Sequence, residues 1–256
     1  MRYLLLVSYD GTGFSGWQRQ PNARTVQETV EEAAEKIFGR KTPVTASGRT
    51  DAGVHALGQV VQLDAEGCSI PAERLAACFC QVLPLDVKVL KSASAPADFD
   101  CTRGAKKKTY RYRAYYAETE HPLLGRYAAR LERMPDLEKM KAAAGLLLGE
   151  HDFAAFRSAG FTSKTSVREI YDIEITRTCV PFATVFEIAV TGNGFLYNMV
   201  RILCGELFAV GCGKQAGITR AFESGDRACL AKTMPPQGLV LEKVDYGVPL
   251  FGTEEL

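Results

Sequence analysis

Apolar periodicity that switches from two to 3.6 and back, twice over and in the same order, is what most limits how this chain can fold. The first half reads as a strand over Arg2–Tyr9, a helix from Val26 to Phe38, and strands at about Thr42–Ser47 and Gly58–Asp64. A second helix follows from Pro71 to about Val82, then a strand at Asp86–Lys91. Thr25-Val26-Gln27-Glu28 has capping-box spacing, and Gly39 stops the helix it opens. The second half has a strand at Lys106–Tyr116, a helix over Pro135–Leu148 and a strand pair at Val167–Arg177 and Ala183–Thr191. It ends with a helix over Tyr197–Val210, a shorter one near Thr219–Ser224, and a strand at Leu239–Tyr246. Both halves are β-α-β-β-α-β without residue identity between them, so only the architecture repeats. The expected fold class is α+β, with two tandem ferredoxin-like (RRM-like) halves whose sheets lie side by side around a central cleft. Gly104-Ala105 is the expected joint, giving an N-terminal domain 1–104 and a C-terminal domain 105–256.

A chain of 256 residues with 46% hydrophobic and 24% charged residues suits two soluble domains. No run approaches eighteen apolar residues, and Met1-Arg2-Tyr3-Leu4 lacks the pattern of a signal peptide, so the expectation is a cytoplasmic protein with no membrane partner. Eight cysteines in such a chain read as free thiols. Cys78 and Cys80 are wrongly spaced for a zinc knuckle, and no metal site is expected.

Chemistry concentrates in Gly48-Arg49-Thr50-Asp51-Ala52-Gly53-Val54-His55-Ala56. One carboxylate and one guanidinium stand between two glycines that permit a sharp turn, in a connection between strands. An Asp in such a loop is often only a turn residue, and a neighbouring Arg only a surface pair. With three histidines and no Ser-His-Asp arrangement, His-based acyl transfer is unsupported.

Gly11-Thr12-Gly13-Phe14-Ser15-Gly16 fits the dinucleotide fingerprint, but Pro21 would fall inside the helix that motif requires. A loop ending in exposed aromatic and polar groups, Arg19 among them, suits contact with a phosphate or base better than NAD. The formal charge is only +1, yet between Asp100 and Tyr116 six Lys or Arg face one Asp. On a strand Lys106, Lys108, Tyr110, Tyr112 and Tyr116 share one face, while Lys107, Arg111, Arg113 and Tyr115 share the other. Cations for phosphates interleaved with rings for bases read as a nucleic-acid surface. The plainer reading is an edge strand protected by charge. Near the far end, 192–198 forms a tight turn into the helix that carries Arg201.

Taken together these segments resemble the tRNA pseudouridine synthase A family over nearly the whole chain. The residues that carry the likeness are Tyr9-Asp10-Gly11-Thr12, Gly16-Trp17-Gln18, Thr25-Val26-Gln27, the stretch from Ser47 to Ala56, and Lys108-Thr109-Tyr110-Arg111-Tyr112. Leu147 to Phe153, and Phe195 with Met199-Val200-Arg201, complete it. The resemblance implies isomerisation of uridine to pseudouridine in the anticodon stem-loop of tRNA, at its positions 38 to 40, with no metal or organic cofactor. It implies a homodimer gripping tRNA, with Asp51 as nucleophile, Tyr110 stacked on the uracil and Arg201 paired with Asp51. Arg49 and Leu239 would also meet the substrate, and Arg19, Lys106, Lys107, Lys108 and Arg111 the RNA. Either Arg201 or Arg49 could hold the carboxylate ionised. A non-catalytic RNA-binding protein with two RRM-like halves is the competing reading, and it gives the Asp51 loop no purpose.

Overall fold

The structure, a computed structural model, describes residues 1–158, 160 and 165–252. These fall into two compact units, Met1–Lys107 with the closing segment from Leu241, and Lys108–Val240.

The first unit runs β1 (Arg2–Tyr9), α1 (Val26–Phe38), β2 (Val44–Ala46), β3 (His55–Asp64), α2 (Leu75–Val82) and β4 (Val87–Ala95). Its strands lie in the order β4-β1-β3-β2, each antiparallel to its neighbour. As a middle strand β1 is buried from Tyr3 to Val7, with Leu5 opposite Val61 and Ser92. Thr25 Oγ1 accepts the Glu28 N–H as the spacing predicts, and α1 buries Val26, Val30, Ala33 and Ala34. The second helix starts later than its sequence suggests. Ser92 Oγ on β4 donates to Ala72 O at 2.6 Å and accepts from Ala76 N at 2.8 Å, and a 3-10 turn over Ala72–Arg74 precedes α2.

The second unit contains β5 (Lys107–Tyr116), β6 (Ala129–Leu131), α3 (Leu137–Gly145), β7 (Gly149–Asp152), β8 (Val167–Val180), β9 (Ala183–Gly192), α4 (Met199–Gly211) and α5 (Ile218–Ser224). The strand order is β5-β9-β8-β7, antiparallel throughout, with β6 parallel to the end of β5. Asp136 Oδ1 accepts from Glu138 N and Lys139 N, so this Asp is the cap and α3 begins at Leu137 rather than Pro135. Tyr112, Phe186, Ile188 and Val190 are buried on the sheet, and Ile202, Leu203, Leu207 and Phe208 on α4.

β10 (Leu239–Asp245) closes the chain, and from Leu241 it groups with the first unit, unlike the sequence division at 104/105. Lys106 N–H donates to Asp245 O at 2.7 Å, and Tyr246 OH donates to Cys101 O at 2.6 Å. The architecture is α+β. Among the described residues no helix is long and apolar enough to cross a membrane.

Candidate active site

In the first unit, the loop before β3 is held at several backbone groups around Asp51. Ser47 and Gln59 are fully buried and hydrogen-bonded to each other, and Gln59 Nε2 donates to Gly48 O at 2.8 Å. Tyr9 OH bonds Thr50 Oγ1 at 2.7 Å, and Trp17 N donates to Thr50 O at 3.0 Å. Val54 N closes the turn onto Asp51 O at 3.1 Å, and Gly53 N reaches Phe14 O at 3.2 Å. Burial pushes the Tyr9 phenol well above its ordinary range, so it stays neutral while bonded to Thr50. Asp51 itself is half-buried.

The same contacts explain the glycine-rich segment. Gly11–Gly13 is a single 3-10 turn and α1 waits until Val26, so no helix opens on these glycines. A Cβ on Gly11 would lie 2.1 Å from Val54 O. On Gly16, whose φ is +91°, it would lie 2.7 Å from Thr50 O. The glycines thus let one loop press its backbone against the Asp51 loop. Contrary to the sequence expectation, the aromatic groups here are not exposed: Phe14 is buried under the Arg24 guanidinium and Trp17 against Tyr9. His55 is buried too, its Nδ1 3.0 Å from the Gly11 N–H and 3.2 Å from Asp10 Oδ1.

Arg49 is exposed and forms no ion pair among the described residues, so adjacency in sequence does not become a guanidinium–carboxylate contact with Asp51. Arg19 is spoken for by Glu28 at 3.2 Å and Glu31 at 3.0 Å, which offset its charge.

In the second unit Tyr110 lies on β5 opposite Val190, 8% exposed, and meets Phe195 edge-on with ring centroids 5.3 Å apart. Arg201, in the first turn of α4, donates from Nε to Met234 O at 2.8 Å and from Nη1 to Asn198 Oδ1 at 2.6 Å. Leu239 is buried where β10 starts.

The basic strand keeps its alternation but not its expected surface. Tyr112 is fully buried, donates its hydroxyl to Pro235 O at 2.7 Å and packs on Phe208 of α4. Tyr115 is buried with Ala117, Ala128 and Ala183. Neither ring faces solvent: Tyr112 is covered by α4 and the loop before β10, and Tyr115, on the other face, by Ala117, Leu124 and Ala128. Lys106 and Lys107 are exposed and Lys108 is half-exposed. Arg111, at 3.3 Å, and Arg113 both pair with Glu187 of β9, an acid far outside the stripe in sequence whose role only strand register reveals. The sequence likewise left no signal for Gln59 and Tyr9 as the supports of the Asp51 loop.

Fold and loop together describe an α+β protein built to hold one carboxylate in a fixed turn. The chain matches the family described as tRNA pseudouridine synthase over residues 5–102 and 143–247, and it belongs to that family. It is 44% identical over 249 residues to tRNA pseudouridine synthase A of Listeria innocua, covering 96% of this chain and 99% of that one. The proteins of the same name from Caldicellulosiruptor bescii and Acetivibrio thermocellus are 40% and 42% identical, over 95% and 94% of this chain and 98% of each relative. A solved Cbf5-Nop10-Gar1 complex is matched at TM-score 0.36 and 11% identity, over 94% of this chain and 58% of that one, too slight a likeness to argue from.

Proposed function

We propose that this chain converts uridine to pseudouridine in tRNA, in the anticodon stem-loop at positions 38 to 40, with Asp51 as the nucleophile. The observation that carries this is the Asp51 loop. Its flanking backbone groups are tied to Trp17, Phe14 and Gln59 and its Thr50 hydroxyl to Tyr9, so the carboxylate is presented from a braced base.

The chemistry suits such a site. The bond between C1′ of ribose and N1 of uracil breaks, the base turns, and C1′ bonds to C5. N1 gains a proton and C5 loses one, so atoms balance without any co-reactant. The freed base must stay bound between the two steps, which calls for a stacking partner worth about 1–3 kcal/mol, the role proposed for Tyr110. Arg201 is proposed as the guanidinium that keeps Asp51 ionised, with Arg49 and Leu239 as further substrate contacts. Lys106, Lys107 and Lys108 are proposed to meet phosphates, together with Arg19 and Arg111, whose charges are partly offset by glutamates. The target base must leave its stack, at a cost of a few kcal/mol that phosphate contacts offset.

Two ferredoxin-like halves with a cleft are part of the same reading, as are a homodimer and a cytoplasmic setting. The order β4-β1-β3-β2 in the first unit and β5-β9-β8 in the second support the repeat. The test is unmodified tRNA carrying tritium at C5 of uridine. Release of label with pseudouridine mapped to the anticodon stem-loop is the expected result. Binding without release would leave an RNA-binding protein only, and release mapped elsewhere in the tRNA would overturn the assigned positions.

A further inference from the structure

We propose that Asn198 is a positioning residue that aims the Arg201 guanidinium, with Ser158 fixing the Asn198 amide. The inference rests on the reading that Arg201 serves the reaction.

Asn198 stands at the N-cap of α4, where an Asn ordinarily adopts an extended backbone and accepts a hydrogen bond from the helix's first turn. Here it does neither. Its φ is +61°, a left-handed conformation uncommon for a residue with a side chain, and it makes no capping bond. The side chain is instead directed to Arg201 and Ser158. Oδ1 accepts from Arg201 Nη1 at 2.6 Å, and Nδ2 donates to Ser158 Oγ at 2.9 Å. A flipped amide would set its NH2 against the guanidinium, donor against donor, so only one orientation of Asn198 serves.

Arg201 is also held from the opposite side. Nε donates to Met234 O at 2.8 Å, and Met234 N–H returns a bond to Arg201 O at 3.2 Å. A planar guanidinium fixed at both Nε and Nη1 has its plane set, and with it the direction of Nη2.

The chemistry of these acceptors is the second argument. Arg19, Arg111 and Arg113 are all met by carboxylates, which offset their charge. Asn198 and the Met234 carbonyl are neutral. They orient a cation without themselves adding a countercharge. A helix start shaped for stability alone would keep Asn198 in its capping conformation.

The experiment compares Asn198→Gly, Asn198→Asp, Ser158→Ala, Arg201→Gln and the double variant Asn198→Gly with Arg201→Gln. Each is measured for Tm, tRNA affinity, and kcat against KM in tritium release. Glycine tolerates the left-handed backbone, so Asn198→Gly removes the side chain without straining the helix start. It should lower kcat about 10–100-fold with KM and Tm nearly unchanged. Asn198→Asp, nearly the same in shape, should lose more, because its carboxylate offsets the Arg201 charge. Ser158→Ala should give a smaller loss of the same kind and keeps the test alive should Asn198→Gly fold poorly. The double variant should be no slower than Arg201→Gln alone. Wild-type kcat in Asn198→Gly, or losses that multiply in the double variant, would overturn the proposal. Wild-type kcat in Arg201→Gln would instead remove Arg201 from the reaction, and this proposal with it.

Discussion

The Asp51 loop and the basic strand β5 both attract attention in the sequence, yet the folded chain treats them differently. In the loop, local chemistry survives folding: Gly11 and Gly16 admit close backbone contacts, and Tyr9 and Gln59 lock what those contacts place. On β5, folding rewrites the surface. Three of its tyrosines, Tyr110, Tyr112 and Tyr115, are buried, and two of its arginines go to Glu187. A turn that needs glycine is specified by its own residues, whereas the net charge of a strand depends on what its neighbour brings.

The largest effect expected from breaking the loop side of this contrast is at Gly16. Gly16→Ala must place a Cβ 2.7 Å from Thr50 O at φ +91°, which should cost about 1–3 kcal/mol in urea unfolding and lower kcat, while tRNA affinity holds. Unchanged stability and turnover would mean that the loop does not need this close approach. On the strand side, changing Lys106, Lys107 and Lys108 to Ala should flatten the slope of log affinity against log salt by up to about 2–3. An unaltered slope would separate these lysines from the phosphates.

Smaller effects sharpen the distinction between core and surface. Tyr112→Phe loses the bond to Pro235 O and should cost about 0.5–1.5 kcal/mol of stability with no change in tRNA affinity. A weaker complex instead would return Tyr112 to the RNA surface. Glu187→Gln releases Arg111 and Arg113 and should tighten tRNA binding at low salt by no more than about fivefold, since such partly exposed pairs are worth under about 1 kcal/mol. Weaker binding would show that Glu187 holds the arginines in a geometry the RNA requires.

Element order in both halves was readable because apolar periodicity is local and strong. α1 starts where its cap and first apolar residue coincide, at Thr25 and Val26. Boundaries drifted where a distant residue decides them, as when Ser92 ties the turn before α2. Two short strands escaped notice. β7 is Gly-Glu-His-Asp, too short and polar to show a period, and exists because β8 pairs with it. No helix opens on the glycine-rich segment, in keeping with Pro21, though its packing against the Asp51 loop needed coordinates. Asn198 falls inside the helix expected from Tyr197 but stands just before α4, and sequence does not tell which way such a residue turns its side chain.

The central claim is that the Asp51 carboxylate performs the chemistry while the rest of the chain binds and holds. Asp51→Asn keeps the size of the side chain and removes its charge, so single-turnover tritium release with enzyme in excess over bound tRNA isolates that carboxylate. The account predicts no release above background and tRNA affinity within about threefold of wild type. Release approaching the wild-type rate from the bound Asp51→Asn variant would contradict it.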